Sequence, residues 1–223
     1  MQPSATPLTL YFTQVSPSVH GDNAILHSSD SNEAAIFYLK NGYVKSYTIT
    51  ESGSASIVAF YGPDAIFPLR PTLKTSGFGR AYKCRSTVYF QAMTECEVYR
   101  RRSFDFLNFI ETEPVHYREI VHRFMQNMEL YASRSESLEY RYAQQRLAYQ
   151  LLTLAEVFGM DAEHGVRLAL PLNHQELAEC SGMARETASR ELEKLRQAGL
   201  VYTHNKTIHL PNVDGLNDIL MNA

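Results

Sequence analysis

Four polar side chains between residues 185 and 190 have the chemistry needed to read DNA bases. An arginine can donate two hydrogen bonds to the O6 and N7 atoms of guanine, and a glutamate can accept one from N4 of cytosine. Because a carboxylate is repelled by phosphate, an acid among these residues favours base reading over backbone binding. A helical repeat of about 3.6 residues would bring the four close together. We therefore predict base contacts from Arg185, Glu186, Ser189 and Arg190.

The surrounding residues predict a helix-turn-helix. Two short amphipathic patterns flank Gly182, and a short glycine-containing turn between two helices is typical of this motif. Its second helix enters the major groove by its N-terminal end. Asn173 and Glu176 predict a capping box on the first helix. The alternative is an ordinary surface helix stabilised by pairs such as Glu186 with Arg190. The apolar positions are Leu177, Ala178 and Ser181 in the first helix, and Ala188, Leu192 and Leu195 in the second.

The rest of the C-terminal third predicts a winged domain over residues 144–223. A helix is expected over 145–158, a loop over 159–165 and a short strand over 166–170. Ala198-Gly199 ends the second helix of the motif. Residues 200–203 and 207–210 then form a hairpin with its tip at 204–206. The predicted phosphate contacts are Asn173, His174, Thr187 and Lys206.

A long helix is predicted ahead of this domain, over residues 113–143. It begins at acidic residues and Pro114, and about 30 residues would make it about 45 Å long. Its apolar residues recur at steps of four and three, as in a coiled-coil seam. Because no second seam is found in the chain, we expect pairing with a second copy; the alternative is packing on its own β domain. Arg118, Arg123 and Arg134 are expected to be solvated. The seam residues are Tyr117, Val121, Phe124, Met128, Tyr131, Ser135, Leu138 and Tyr142.

Residues 1–112 are predicted to form a β-roll, that is, a sandwich or barrel of short strands. Loops and one short strand or helix are expected up to residue 30, and β patterns begin near residue 34. Asn41-Gly42 predicts one hairpin and Glu51–Gly53 a second. Short strands with turns every 8–12 residues favour a sandwich or barrel. Further strands are predicted at 81–85, 87–92 and 97–101.

Composition is typical of a soluble globular protein, and the cysteines predict a location in the cytoplasm. The chain has 223 residues, 44% hydrophobic and 20% charged, with a net charge of −3. This charge does not itself indicate nucleic-acid binding, but a small basic face suffices for it. The three cysteines are far apart, which predicts a reducing compartment and no zinc site. We expect no signal peptide and no transmembrane segment.

The order of β-roll, long helix and winged helix-turn-helix resembles the family of the cyclic-AMP receptor protein and the fumarate–nitrate regulator. The resemblance covers about residues 34–215 and implies an α+β fold. It also implies a homodimeric transcription regulator that binds double-stranded DNA, with RNA polymerase as a possible partner. In that family two arginines and a glutamate read the half-site, which implies these roles for Arg185, Glu186 and Arg190. These residues fit both a TGTGA-like and a TTGAT-like half-site. The matching residues are Gln175-Glu176-Leu177-Ala178, Gly182, Arg185-Glu186-Thr187, Ser189-Arg190, Leu195 and Gly199-Leu200.

The sequence departs from the family pattern in two places. Ala184 stands where the family usually has a serine that caps the second helix. Loss of this cap should lower the stability of the protein by roughly 1 kcal/mol. The family's cyclic-nucleotide cassette has Gly-Glu-Leu and Arg-Ser, whereas this chain has Phe67-Pro68-Leu69 and Ser86-Thr87. Cyclic AMP is therefore not the expected effector. A different anion could bind a pocket formed by Arg80, Lys83, Arg85 and Tyr131, although solvated strand ends are the simpler interpretation.

No cofactor is evident, and the effector is unknown. Oxygen-sensing relatives hold a cluster with cysteines near the N-terminus. These cysteines are absent here, because the first cysteine of the chain is Cys84. A haem would need an axial ligand, and His20, His27 and His116 cannot be ranked for that role. An enzyme on a cupin-like barrel is the alternative from another class, but such enzymes need clustered metal ligands and residues 28–115 contain no histidine. A third alternative is a β-roll that binds no effector. We predict a regulator and not an enzyme.

Overall fold

The computed structural model describes residues 6–31, 34–51, 53–69, 86–204 and 207–221. These residues form two compact units. The first contains the described residues within Met1–Ser54 and Phe60–Met128, and the second those within Ala55–Ala59 and Glu129–Ala223. The mixture of a sheet-rich N-terminal part with a helical C-terminal part confirms the predicted α+β class.

In the described residues of the N-terminal part, eight short strands form two four-stranded sheets, as a β-roll requires. The first sheet has the order β1-β8-β3-β6 and the second the order β2-β7-β4-β5. The registered pairs are antiparallel. The strands are β1 (Ser18–His20), β2 (Ile25–Ser28), β3 (Ala35–Asn41), β4 (Val44–Ile49), β5 (Ala55–Tyr61), β6 (Ile66–Phe67), β7 (Val88–Ala92) and β8 (Cys96–Arg102).

The turn at Asn41-Gly42 does not form the predicted hairpin. It carries the chain from β3 in one sheet to β4 in the other. Gly42 has φ +95°, and a Cβ there would lie 2.4 Å from the carbonyl oxygen of Glu95. The glycine is therefore needed for close packing at the point where the chain changes sheet. The second predicted hairpin is confirmed, since β4 and β5 are neighbours and Gly53 N–H donates to the Thr50 carbonyl at 2.9 Å.

Two of the other predicted strands are confirmed with small changes of their ends. They correspond to β7 and β8, whereas the prediction for 81–85 lies outside the described residues. The polar start of the chain contains a seven-residue helix, α1 (Pro7–Thr13), capped by the Thr6 hydroxyl. Helix α2 (Ser103–Ile110) follows β8. Leu8, Phe12 and Phe106 from these two helices are fully buried against Ile36 and Tyr38 of β3.

Aromatic side chains fill the interior between the two sheets. Phe67 is fully buried and stacks on Phe37 at 5.7 Å and on Phe90 at 5.3 Å, measured between ring centroids. Tyr61 lies 5.1 Å from the Phe67 ring, and His27 lies 5.8 Å from the Phe37 ring. Rings from both sheets therefore meet in one cluster, which supplies much of the apolar burial in this part of the molecule.

The long helix is α3 (Pro114–Ser137), and its 24 residues are fewer than the 30 predicted. The Ser137 hydroxyl donates to the Arg134 carbonyl at 2.7 Å, and Leu138 N–H turns back to Ser135. These local bonds close the last turn of the helix. Leu138 and Tyr142 were predicted to extend the seam, but they lie beyond the end of α3. The seam on this helix therefore ends before Leu138.

The described residues of the second unit contain the end of α3, four further helices and a small sheet of order β11-β12-β10-β9. The predicted loop over 159–165 is wrong in its first part, because Gly159–Asp161 pairs with Val166–Leu168. Gly165 (φ +72°) makes this short turn possible. The elements are α4 (Ala143–Phe158), β9 (Gly159–Asp161), β10 (Val166–Leu168), α5 (His174–Cys180), α6 (Arg185–Gln197), β11 (Tyr202–His204), β12 (Thr207–Leu210) and α7 (Val213–Met221). Among the described residues, no helix has the length and apolar character needed to cross a membrane.

Candidate DNA-binding site

Helix α5 begins with the capping box that the sequence predicts. Asn173 Oδ1 accepts from the Glu176 N–H at 2.9 Å, and Asn173 N–H donates to Glu176 Oε2 at 3.0 Å. The two residues thus satisfy two backbone groups at the start of the helix reciprocally. Leu177 and Ala178 in the next turn are buried. The position of α5 is therefore fixed at its first turn and along its apolar face.

Gly182 makes the turn between α5 and α6. It has φ +62°, and the next residue, Met183, donates its N–H to the Ala178 carbonyl at 3.0 Å. This is the Schellman arrangement that ends a helix on a left-handed glycine. A Cβ on Gly182 would lie 2.6 Å from Leu138 Cδ2. The left-handed backbone conformation therefore favours glycine in this turn, whereas the end of the Leu138 side chain could move to admit a Cβ.

Helix α6 packs by one face and presents the predicted base-reading residues on another. Ala188, Leu192 and Leu195 are buried. Arg185 and Glu186, in the first turn, are exposed. The helix ends as predicted, because Gly199 (φ +71°) allows Leu200 N–H to reach the Leu195 carbonyl at 3.0 Å. Its N-cap residue Ala184 makes no side-chain cap bond, which agrees with the departure seen in the sequence.

Ser189 and His174 join the two helices of the motif. The Ser189 hydroxyl oxygen lies 2.8 Å from Nδ1 of His174, within hydrogen-bonding distance. Ser189 is half-buried in the second turn of α6, and His174 is the exposed first residue of α5. Two residues with separate predicted roles, one toward a base and one toward phosphate, are therefore a bonded pair.

Glu191 is a polar residue of this site that the sequence reasoning missed. It is buried, and its carboxylate receives bonds from Lys194 Nζ at 2.8 Å and Arg190 Nε at 3.2 Å. Burial raises the pKa of Glu191, but these bonds outweigh burial and the pKa is lowered from its usual value. The signal available in the sequence was an acid placed one residue after an arginine and three before a lysine. Glu191 contacts Arg190 through Nε, and the two terminal guanidinium nitrogens are not part of this ion pair.

The predicted phosphate contacts are only partly described. Asn173 and His174 are exposed at the start of α5, and Thr187 is half-buried in the first turn of α6. Lys206, predicted at the tip of the wing, lies outside the described residues. Strands β11 and β12 on either side of it pair as the predicted hairpin does, with His204 opposite Thr207.

Helix α3 has two different faces. Its buried face includes His116 and Ile120. Its other face leaves large apolar side chains exposed, and Val121 has 57% of its surface accessible. Five of the predicted seam residues within α3 belong to this exposed stripe: Tyr117, Val121, Phe124, Met128 and Tyr131.

Two of the arginines beside the seam are not solvated as predicted. The side chain of Arg123 is only 17% exposed; it bonds Glu119 at 3.0 Å and also donates to the Asp64 carbonyl. Arg134 donates to the Ser56 hydroxyl at 2.7 Å, and burial lowers the pKa of its guanidinium. Both arginines bond groups distant in sequence, which the helical pattern alone does not reveal. Arg118 is exposed, as expected.

The candidate effector and metal residues form no described site. Arg80, Lys83 and Arg85 lie outside the described residues, and Tyr131 is exposed on α3. His116 stacks on Phe109 at 4.2 Å, and its Nδ1 lies 3.1 Å from the Phe109 carbonyl, so its environment is that of a packed core residue. In the described parts of the chain, no group of three or more potential metal ligands comes together. Burial raises the pKa of Cys180 to about 12, which makes this thiol unreactive.

Family models match both parts of the chain. A model described as the cyclic nucleotide-binding domain matches residues 18–113, and one described as the Crp-like helix-turn-helix domain matches residues 145–219. These ranges contain most of the β-roll and nearly all of the described winged domain. The matches agree with the order of elements that the structure shows.

The curated relatives are bacterial regulators. The chain is 26% identical over 181 residues to the global nitrogen regulator of Synechococcus elongatus, covering 79% of this chain and 77% of that protein. It is 25% identical over 196 residues to the regulatory protein HlyX of Actinobacillus pleuropneumoniae, covering 86% and 76%. Among solved structures, a CooA mutant from Carboxydothermus hydrogenoformans superposes with a TM-score of 0.76 at 20% identity, over 99% of this chain and 97% of that one. The two curated relatives are regulators, which supports the predicted class and does not favour the enzyme alternative, and the solved structure shares the fold.

Proposed function

Because the chain belongs to the Crp/Fnr family of transcription regulators, we propose that it binds a palindromic DNA site as a homodimer. In this proposal Arg185, Glu186, Ser189 and Arg190 read the bases of each half-site. The observation that carries it is the geometry of α6. Its apolar face is buried, whereas Arg185, Glu186 and Arg190 are exposed in its first two turns. This is the end of a recognition helix that meets base edges in the major groove.

The proposal includes two half-site types. The Arg185-Glu186 pair favours a TGTGA-like sequence, and Glu186 with Ser189-Arg190 favours a TTGAT-like one. The chain carries both sets. A selection of bound sequences from a random duplex pool separates the two and reports two-fold symmetry directly. Recovery of sequences with no shared half-site would contradict the proposal.

Substitution of Arg185 tests base reading. We expect Arg185→Ala to lose about 1–3 kcal/mol of discrimination at one base pair of the selected site, since a bidentate contact to guanine would be removed. Lys206→Ala is the matched comparison, because loss of a phosphate contact weakens binding to all sequences about equally. Fluorescence anisotropy with single-base variants of the site measures both. The base-reading assignment is wrong if the two variants bind every duplex as the wild type does.

The homodimer is proposed from the exposed apolar stripe on α3. Monomeric proteins rarely leave a contiguous apolar surface of this kind exposed. A two-fold pair of recognition helices also matches the symmetry of a palindromic site. The helix packs on its own unit through residues such as Ile120, so packing on the β domain and pairing with a second copy use different faces. The apolar spacing of the stripe is that of a coiled-coil seam.

We also propose that cyclic AMP does not gate this regulator. In place of the family's Gly-Glu-Leu the chain has Phe67-Pro68-Leu69, and Phe67 is fully buried among aromatic rings between the sheets. A ligand that binds the native state raises its stability. We therefore expect no change in melting temperature when cyclic AMP is added at millimolar concentration. A concentration-dependent rise would overturn this part of the proposal, and a panel of other nucleotides and metabolites serves to find a different effector.

A further inference from the structure

We propose that His174 is a positioning residue that holds the Ser189 hydroxyl as a hydrogen-bond acceptor toward DNA, and that it thereby sets the base preference at one pair of each half-site. The inference rests on the proposed function, because it assigns a role within the same DNA-binding surface. It goes further because base specificity then depends on His174, a residue of α5 and not of the recognition helix α6.

The supporting geometry is the 2.8 Å contact between His174 Nδ1 and Ser189 Oγ. It joins the first residue of α5 to the second turn of α6, 15 positions along the chain. Both helices are fixed independently of this contact, α5 by its capping box and α6 by its buried leucines. The bond is therefore not needed to build the motif, and its effect is to restrict rotation of the hydroxyl.

Restricting that rotation determines which bases Ser189 can contact. A free serine hydroxyl rotates to donate or accept, and for that reason serine shows little base preference. A neutral histidine with its proton on Nε2 accepts at Nδ1. Ser189 then donates its only hydrogen to the ring, and its oxygen is left as an acceptor.

An acceptor in the major groove favours bases that present an amino group. These are adenine through N6 and cytosine through N4, whereas guanine and thymine present acceptors at the corresponding positions. We expect the wild type to prefer adenine or cytosine at the base that Ser189 contacts. One neutral hydrogen bond corresponds to a preference of about three- to ten-fold.

The experiment measures binding of the full-length protein to all single-base variants of its selected site. Ser189→Ala identifies the base pair concerned, because the preference there should be lost. His174→Ala should flatten the preference at the same base pair and leave the other positions unchanged. The double variant should show no further loss, since the two residues act as one unit. A duplex whose base at that position lacks its exocyclic amino group should bind wild type and His174→Ala about equally.

Two further variants show whether the effect is specific. His174→Asn places Oδ1 near the position of Nδ1 and can accept the serine proton, so it should restore the preference. Gln175→Ala removes the next polar side chain of α5, which bonds Glu179 within the same helix at 2.8 Å, and it should not alter that base pair. Thermal unfolding of each variant checks that the fold is retained.

The outcomes separate this inference from the function on which it depends. If the wild type selects no sequence, the proposed function fails. If it selects a palindrome but His174→Ala weakens all variants equally and lowers the salt dependence, His174 is a phosphate contact and the inference is overturned. A Ser189-dependent preference for guanine or thymine would also overturn it, because the hydroxyl would then be a donor.

Discussion

At the scale of single residues, the charged side chains of α6 have two distinct environments. Arg185 and Glu186 are exposed in its first turn, whereas Glu191 is buried and bonded to Arg190 and Lys194. A buried carboxylate is stable only when it is paired and hydrogen-bonded. Glu191 therefore links the stability of the recognition helix to the placement of Arg190, one of the proposed base-reading residues.

We predict that Glu191→Gln destabilises the protein by about 1–3 kcal/mol at pH 7, because bonds to a charged acceptor are lost. The folded-state pKa of Glu191 lies below its usual value of 4.5. Its contribution is therefore fully present above pH 4.5 and is lost as the pH falls through the lower folded-state value. Urea unfolding at pH 7 and at successively lower pH measures the difference between wild type and variant, which should shrink below pH 4.5.

Glu193→Gln is the matched control, since Glu193 bonds Arg196 on the same helix but its side chain is 45% accessible to solvent. Exposed ion pairs contribute little to stability. A loss for Glu193→Gln as large as that for Glu191→Gln would show that burial is not the cause. A constant difference between wild type and Glu191→Gln across this pH range would show that the ionised carboxylate is not responsible.

At the scale of elements, local signals in the sequence predicted the helix-turn-helix closely. Asn173 and Glu176 act over three residues, and Gly182 requires a left-handed conformation that few other residues adopt. These interactions depend on neighbours in the chain, so the sequence contains them. The placement of Arg185 and Glu186 in the first turn of α6 follows directly from these signals.

Non-local packing explains where prediction failed. Asn41-Gly42 has the residues of a hairpin turn, yet β3 pairs with β8 and β6 instead of β4. The turn type alone does not determine which sheet the next strand joins. The apolar spacing continued through Leu138 and Tyr142, but α3 ends at Ser137. The pairing of His174 with Ser189 spans two helices, and no short motif in the sequence encodes it.

Restoring the missing cap of α6 should stabilise the protein. Ala184 has φ −70° and ψ 150°, the extended conformation of an N-cap, but its side chain cannot accept a hydrogen bond. We predict that Ala184→Ser raises the free energy of unfolding by about 1 kcal/mol, because its hydroxyl can accept from a free N–H in the first turn. Chemical denaturation measures the change. Ala184→Val, which has no hydroxyl, is the control, and equal stabilisation by both would contradict a capping effect.

At the scale of the whole molecule, the proposed function requires two copies of the chain. A single recognition helix contacts one half-site, and a palindrome gains affinity only when both halves are bound together. The exposed stripe that includes Val121, Phe124 and Met128 on α3 is the surface we assign to this pairing. Apolar side chains on such a stripe are removed from water when two helices pair.

We predict that Val121→Glu converts the dimer to a monomer, because a carboxylate at this position would be buried without a partner in the paired state. Val121 is 57% exposed in the single chain, so the fold itself should be unaffected. Sedimentation velocity measures the association state, and affinity for the full palindrome should fall by about 100-fold or more, toward that for one half-site. Val157→Glu is the matched control, since Val157 is 50% exposed and belongs to α4 instead of α3. A Val121→Glu protein that still sediments as a dimer, or an equal effect of Val157→Glu, would refute this assignment of the dimer surface.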